Sequence, residues 1–200
     1  MKKFERLPLE KRKAEIQMAA LRLFLEKGFA NTTMENIIQQ VSLSKGGVYR
    51  IYPSTTMILS DLMIAGMHYR NAYYEECIQK AEQIDIQFLV HMLFHSLWIH
   101  EEYSKIYVEF LWEKQRNSLL QQAYESICQT STIDTTKLIQ KYHMDSYFLK
   151  NERLLYQIME WMNAMILSMH VLDLKSQLQD YEDEICDAVC HIFMKKGDTL

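Results

Sequence analysis

Glycine and proline are scarce, with 5 Gly and 2 Pro among 200 residues. All-β sandwiches and nucleotide-binding α/β folds need frequent turns, and disordered chains are rich in these two residues, so all three classes fit poorly. The 4 cysteines have no CxxC spacing and are too few for a disulfide-rich secreted domain. Hydrophobic residues make up 48% of the chain. The sequence therefore predicts an all-α fold with a large core.

Signals for secretion, membrane insertion and catalysis are also missing. The N-terminus is basic but lacks an apolar core segment, and the most apolar stretch, residues 154–172, is interrupted by polar side chains. The chain has no glycine-rich phosphate loop, no G-x-S-x-G and no H-E-x-x-H motif. We therefore expect a cytoplasmic protein that is not an enzyme, has no membrane partner and needs no cofactor or metal.

Charge is divided unevenly along the chain. Residues 1–52 carry 10 Lys and Arg against 5 Asp and Glu, whereas residues 53–200 carry 12 against 21. A basic N-terminal segment joined to an acidic body indicates that the N-terminal segment meets a polyanion.

The basic segment has the pattern of three short helices. Apolar residues recur at helical spacing over residues 11–27, and Gly28 predicts the end of that helix. Thr32 and Glu35 have the spacing of a capping box for a second helix, and Ser44 can cap a third that stops before Pro53. The tight turn between the last two helices predicts a helix-turn-helix unit.

The third helix has the features of a DNA-reading helix. Its first turn is slim and polar, which suits entry into a major groove, and its free amides favour a phosphate. Two glycines there cost up to about 1 kcal/mol each in helix stability, so stability alone does not explain them. The residues concerned are Ser44, Lys45, Gly46 and Gly47, followed by Tyr49 and Arg50.

In order and spacing, the segment from Ile16 to Pro53 resembles the DNA-binding head of TetR-type repressors. The resemblance covers about a quarter of the chain and is carried by Ala20, Leu23-Phe24, Gly28-Phe29, Thr32-Thr33, Ile37, Ser44-Lys45-Gly46, Val48-Tyr49 and Tyr52. It implies a DNA-binding domain over residues 10–70 and a ligand-binding and dimerisation domain over residues 71–200. The implied DNA-binding residues are Thr32, Thr33, Ser44, Lys45, Gly46, Gly47, Tyr49, Arg50, Tyr52 and Thr55.

The resemblance further implies a homodimer that binds a near-palindromic operator in double-stranded DNA and is released by a small hydrophobic or cationic effector. Two positions depart from the family pattern. Ser42 stands where the turn usually has glycine, and Thr55 stands where the fourth helix usually begins with lysine. The loss of that lysine removes one cation from the DNA backbone contacts, which predicts weaker DNA binding.

Beyond Pro53 the sequence predicts further helices over residues 54–81, 84–103 and 107–129, a loop over residues 130–136, and two amphipathic helices that close the chain. The a/d spacing of these last two helices indicates a dimer interface, with a broad monomeric core as the alternative. The predicted interface residues are Leu155, Ile158, Met162, Met165, Met169, Tyr181, Ile185, Ala188 and Ile192.

Methionine and aromatic residues of the middle helices suggest an adaptable apolar pocket. The predicted pocket residues are Met63, Met67, Phe94, Trp98, Tyr107, Phe110, Tyr124 and Trp161. An alternative is a metal- or thiol-responsive regulator, because His91/His95 and Cys186/Cys190 are each spaced by one helical turn.

Overall fold

Ten helices and no strand make up residues 8–99, 101–142 and 152–197, the part of the chain that our computed structural model describes. The all-α class is thereby confirmed. The helices are α1 (Leu9–Lys27), α2 (Met34–Ile38), α3 (Lys45–Ile51), α4 (Thr55–Lys80), α5 (Ile86–His95), α6 (Glu101–Glu113), α7 (Ser118–Lys141), α8 (Glu152–Val171), α9 (Lys175–Asp180) and α10 (Glu182–Gly197). Within these ranges no helix combines the length and the apolar character that a bilayer span requires.

These helices form two compact units. The first comprises the residues up to Ala65 together with Lys105–Glu125, and the second comprises Gly66–Ser104 together with the residues from Ser126 onward. The expected boundary near residue 70 lies close to the first division. The expected continuous domain over residues 71–200 differs from this arrangement, because the segment 105–125 is part of the first unit.

The core of the first unit begins with the predicted apolar face of α1. Ile16, Ala20 and Phe24 are completely buried, and the ring of Phe24 meets that of Phe29 edge-on at 5.2 Å between centroids. Gly28 ends α1 as predicted. Its φ of 85° lies in the left-handed region that glycine enters without strain, and its N–H donates to the carbonyl of Phe24.

The predicted loop over residues 130–136 is wrong, because this segment lies inside α7. Serine and threonine disfavour helix interiors when their hydroxyls compete for the backbone. Here the hydroxyls of Thr132 and Thr136 each donate to the carbonyl four residues earlier, at 2.9 Å, while Ser131 is buried. The hydroxyls are thus satisfied without interrupting the helix.

Two predicted helices are divided. The segment 84–103 contains a break after His95, where the Ser96 hydroxyl donates to the carbonyl of Leu93. The last predicted helix is split at Tyr181 into α9 and α10.

The predicted stripe on α8 faces inward in the second unit. Ile158, Met162 and Met169 are buried within the protomer, and Met165 is half-buried. We therefore leave Ile158, Met162 and Met169 out of the surface proposed for dimerisation, since a side chain buried in its own chain offers little area to a partner, whereas Met165 keeps an accessible part. The side chain of Leu155 lies outside the described residues.

On α10 and just before it the predicted residues are more accessible. Tyr181, Ala188 and Ile192 are exposed and Ile185 is half-buried. The other large exposed apolar residues in this part of the second unit are Leu167, Val171, Leu172 and Leu174. The second unit therefore carries an apolar surface on the end of α8, the loop that follows it and α9–α10.

Candidate nucleic-acid interface

The second helix of the head is capped one residue later than the sequence predicts. Thr33 is its N-cap and accepts a hydrogen bond from the N–H of Asn36, while the Asn36 side chain accepts one from the N–H of Thr33. The expected box of Thr32 and Glu35 is therefore wrong, and the capping box of α2 is formed by Thr33 and Asn36.

Thr32 is turned inward. Its hydroxyl donates to the carbonyl of Gly28 at 2.9 Å and its side chain is buried, whereas Thr33 is exposed. The Thr32 side chain thus fixes the loop after α1 and faces the interior of the head, so we leave it out of the residues proposed to contact DNA.

The third helix begins as predicted. The Ser44 hydroxyl accepts a hydrogen bond from the N–H of Gly47 at 3.2 Å. A Cβ added to Gly46 would meet no atom within 4 Å, so the surface over the first turn is open. Val48 is buried and attaches the helix to the head, which leaves the side with Lys45 and Gly46 exposed.

Glu35 of α2 lies beside this open surface, and sequence reasoning missed its role. Its Oε1 accepts a hydrogen bond from Lys45 Nζ at 3.3 Å and another from Tyr49 Oη at 3.2 Å. Hydrogen bonds from its own backbone N–H, Lys45 and Tyr49 hold the pKa of the Glu35 carboxyl below its usual range. The group is therefore ionised at neutral pH. The sequence pattern predicts Glu35 in the capping box of α2. Placing that box at Thr33 and Asn36 instead would have shown Glu35 to be available to Lys45 and Tyr49.

Other predicted residues lie at the edge of this surface. Arg50 is exposed, and its guanidinium has no hydrogen-bond or ion-pair partner within the described residues. Thr55 is the first residue of α4 and is half-buried, next to Ser54, whose hydroxyl accepts from the N–H of Met57.

The unusual Ser42 fits the turn without strain. Apart from glycine, Asp173 is the one residue with positive φ in the described ranges, so Ser42 has an ordinary backbone conformation. The N–H and hydroxyl of Ser42 donate to the carboxylate of Glu15 on α1. The turn is thus held by a side chain of α1 and does not need glycine.

Tyr52 has a different position from the one predicted. It is 2% exposed, its hydroxyl donates to Asp61 Oδ2 at 2.7 Å, and it accepts from Gln17 Nε2 at 2.8 Å. Burial and the neighbouring Asp61 carboxylate raise the pKa of Tyr52 above its usual value. The residue joins α1 to α4 inside the head, so we leave it out of the residues proposed to contact DNA.

We expect the variant Tyr52→Phe to lower the free energy of unfolding by about 1–2 kcal/mol, because Asp61 and Gln17 lose the hydroxyl of a buried residue as a partner. Affinity for a random-sequence DNA duplex should not change. Urea unfolding and fluorescence anisotropy measure the two quantities. Tyr49→Phe is the matched control, since the Tyr49 hydroxyl bonds on an exposed surface and its loss should cost less stability. Weakened DNA binding by Tyr52→Phe at unchanged stability would contradict this assignment.

The corner after α1 is held by a residue distant in sequence. Glu109 of α6 accepts a hydrogen bond from the backbone N–H of Phe29 through Oε2, at 2.5 Å. Glu109 is half-buried and also lies beside Gly28. This contact is one of those that join the segment 105–125 to the head, together with the hydrogen bond from Asn117 to Thr56.

The arrangement of α2, turn and α3, with a capped and exposed start of α3, defines a helix-turn-helix DNA-binding domain. The comparisons specify which kind. Residues 16–62 match the family model of bacterial regulatory proteins of the tetR family. The HTH-type transcriptional regulator YfiR of Bacillus subtilis is 38% identical over 58 residues, which are 29% of this chain and 28% of that protein. The resemblance of the head to the TetR family is thereby confirmed.

The fold as a whole is also found in solved structures. The structure of Salmonella enterica GusR aligns with a TM-score of 0.72 and 16% identity over 98% of each chain. The fatty acid degradation regulator FadR from Bacillus halodurans aligns with a TM-score of 0.68 and 17% identity over 94% of this chain and 96% of that chain. At this identity the likeness establishes the fold.

The predicted pocket residues are spread over both units. Met63 and Phe110 are buried in the first unit, where the Phe110 ring lies 6.1 Å from that of Tyr107 and 6.3 Å from that of Tyr124. In the second unit, Met67 and Phe94 are buried. There too, Trp98 donates through Nε1 to Glu182 Oε2 at 2.7 Å, and Trp161 is half-buried.

A cavity of about 340 Å³ lies elsewhere in the second unit, between α4, α5 and the start of α10. None of the eight predicted pocket residues is among the described residues that line it, which are Tyr73, Cys77, Phe88, His91, Met92, His95, Glu182 and Asp183. His91 Nδ1 lies 3.8 Å from Asp183 Oδ1, and His95 Nδ1 lies 3.4 Å from Glu182 Oε1. The cavity combines apolar walls with two carboxylates.

The surroundings of Cys186, Cys190, His91 and His95 do not support the alternative of a metal- or thiol-responsive regulator. Cys186 and Cys190 are buried and unpaired, and burial together with Glu182 raises the pKa of the Cys186 thiol to about 12. A buried neutral thiol reacts slowly with oxidants, since the thiolate is the reactive form. Among the described residues no group of three or more His, Cys, Asp or Glu side chains could hold a metal ion, although His91 and His95 share one cavity.

Proposed function

We propose that this protein is a homodimeric transcriptional repressor that binds operator DNA through α3 and is released by a small effector. The single observation that carries the proposal is the exposed first turn of α3 in a TetR-type head. A Cβ at Gly46 would meet no atom within 4 Å, and the guanidinium of Arg50 has no hydrogen-bond or ion-pair partner within the described residues. The residues that we propose to contact DNA are Thr33, Ser44, Lys45, Gly46, Gly47, Tyr49, Arg50 and Thr55.

The test is selection of bound sequences from a random duplex library by the purified protein, followed by anisotropy across a salt series. A specific regulator should enrich a near-palindromic sequence with half-sites about 10 base pairs apart and bind it at least about a thousandfold more tightly than random DNA. Equal, steeply salt-dependent affinity for selected and random duplexes would contradict a sequence-specific role.

For the effector we propose an organic cation with an aromatic or aliphatic body, bound in the cavity of the second unit. Tyr73, Phe88 and Met92 supply apolar surface, and the carboxylates of Glu182 and Asp183 supply negative charge. Such an effector would release DNA by preferring a conformation with a poorer operator fit. A tenfold loss of operator affinity requires about 1.4 kcal/mol of differential binding.

Benzyltrimethylammonium should raise the melting temperature more than its neutral isostere neopentylbenzene, by about 2–4 °C for each kcal/mol of binding linkage. Differential scanning fluorimetry measures the shift. Asp183→Asn should reduce the response to the cation, because Asp183 is exposed and lines the cavity. Asp180→Asn is the matched control, since Asp180 is exposed nearby but is not among the lining residues. Identical responses to the cation and the isostere would refute the cationic assignment.

A further inference from the structure

The carboxylate of Glu35 engages two side chains of the proposed DNA-reading helix. Lys45 Nζ and Tyr49 Oη both donate to the same oxygen, Oε1, at 3.3 and 3.2 Å. Lys45 Nζ also lies 5.8 Å from the centroid of the Tyr49 ring. The three side chains thus form a cluster between α2 and α3, which we call the Glu35 cluster.

The head does not need the Glu35 cluster for its fold. Thr33 and Asn36 cap α2 without Glu35. The side chains of Lys45 and Glu35 are 68% and 56% exposed, and exposed ion pairs contribute little to stability. The Glu35 cluster is therefore a candidate for a role in DNA recognition.

The Lys45 ammonium and the Tyr49 hydroxyl both donate hydrogen bonds to one anionic oxygen of Glu35. The same two groups could donate to an oxygen of a DNA phosphate instead. Side chains of these two types commonly contact phosphate oxygens. In the free protein the Glu35 carboxylate occupies these donors. A phosphate that approaches them must displace the carboxylate or lie close to a like charge.

We propose that Glu35 is a specificity-determining residue, whose carboxylate competes with DNA phosphate for Lys45 and Tyr49 and so weakens binding to non-operator DNA. The inference rests on the proposed function. On random DNA, binding depends mainly on phosphate contacts, and nothing offsets the competition. On an operator, the displaced carboxylate can accept a hydrogen bond from a cytosine amino group, so the cost of displacing it is smaller there than on random DNA. Glu35 therefore widens the gap between the two affinities.

The test compares Glu35→Gln with the wild type on a random-sequence duplex of about 30 base pairs, long enough for two half-sites one helical turn apart. We expect Glu35→Gln to bind random DNA about threefold to tenfold more tightly. Its plot of log affinity against log salt should be steeper by about 1.8, the value for two additional phosphate contacts, one from each protomer of the proposed dimer. On the operator obtained by selection the gain should be smaller, so the specificity ratio should fall.

Glu26→Gln is the matched control. Glu26 is exposed on α1, and its removal changes the net charge of the head equally without touching the cluster. It should leave the salt slope unchanged. In a Lys45→Met background the steeper slope of Glu35→Gln should disappear, because there is then no Lys45 ammonium that the loss of the carboxylate could make available to a phosphate. Thermal melting by circular dichroism verifies that each variant is folded.

Two results would overturn the inference while leaving the proposed function intact. One is identical behaviour of Glu35→Gln and Glu26→Gln. The other is an equal gain in affinity on random and operator DNA. If the wild type enriches no sequence at all, the proposed function itself fails, and the inference fails with it.

Discussion

Gly46→Leu should abolish operator binding, with a loss of at least about a hundredfold in affinity, and should make the protein more stable. A recognition helix reads bases through its N-terminal residues, and a leucine at the second position of α3 would hold the helix away from the groove. In the free protein a Cβ at this position meets no atom within 4 Å. Leucine is also the better helix former, by about 0.8–1 kcal/mol, so the melting temperature should rise by about 2–4 °C.

Anisotropy on the selected operator and thermal melting test both halves of this expectation on one variant. Gly46→Ala adds a smaller group and should lose less affinity. Glu26→Leu adds a leucine to the exposed surface of α1 and should bind DNA with nearly wild-type affinity. Wild-type operator affinity of Gly46→Leu would exclude this turn of α3 from the DNA interface. A loss of affinity that follows a loss of stability would also contradict the argument.

We propose that the chain dimerises through the apolar surface on the end of α8, the loop that follows it and α9–α10, and we expect Val171→Glu combined with Leu172→Glu to convert this dimer to a folded monomer. The two side chains are 60% and 62% exposed at the end of α8, so the charges replace surface methyl groups and leave the core of the protomer unchanged. A dimer would bury them, and burial of unpaired carboxylates opposes association strongly. Because a dimer binds two half-sites at once, the monomer should lose about a hundredfold or more in operator affinity.

Sedimentation velocity reports the state of association, and anisotropy reports the affinity. The matched control is Leu119→Glu combined with Ile133→Glu, which places two charges at residues of 60% and 53% exposure on α7. This control should remain dimeric. If Val171→Glu/Leu172→Glu sediments as the wild type does, the apolar surface on α8–α10 is not the dimer interface.

Local sequence was sufficient for those features of the head that depend on neighbouring residues. The spacing of apolar side chains in α1, the glycine at its end and the serine cap of α3 all follow from interactions within a few residues. Thr32 and Thr33 show the limit of such reasoning. Both threonines can cap a helix. In the packed loop the Thr32 hydroxyl donates to the carbonyl of Gly28, which leaves the Thr33 hydroxyl to cap α2.

The other errors concern partners that are distant in sequence. Tyr52 is drawn into the core by Gln17 and Asp61, which lie 35 and 9 residues away. The cavity of the second unit combines side chains of α4 and α5 with the start of α10. A periodic pattern identifies the buried side of each helix, but it does not indicate which helices meet or where a gap remains between them.

The hydrogen bond between Phe29 and Glu109 gives the corner after α1 an unusual property. Most amides at the end of a helix are protected from solvent by local bonds, so their hydrogen exchange reports fraying of that helix. The amide of Phe29 is instead protected by a carboxylate 80 residues further along the chain. Its exchange rate therefore measures how often α6 separates from the head, and a single backbone position can report on the integrity of the first unit.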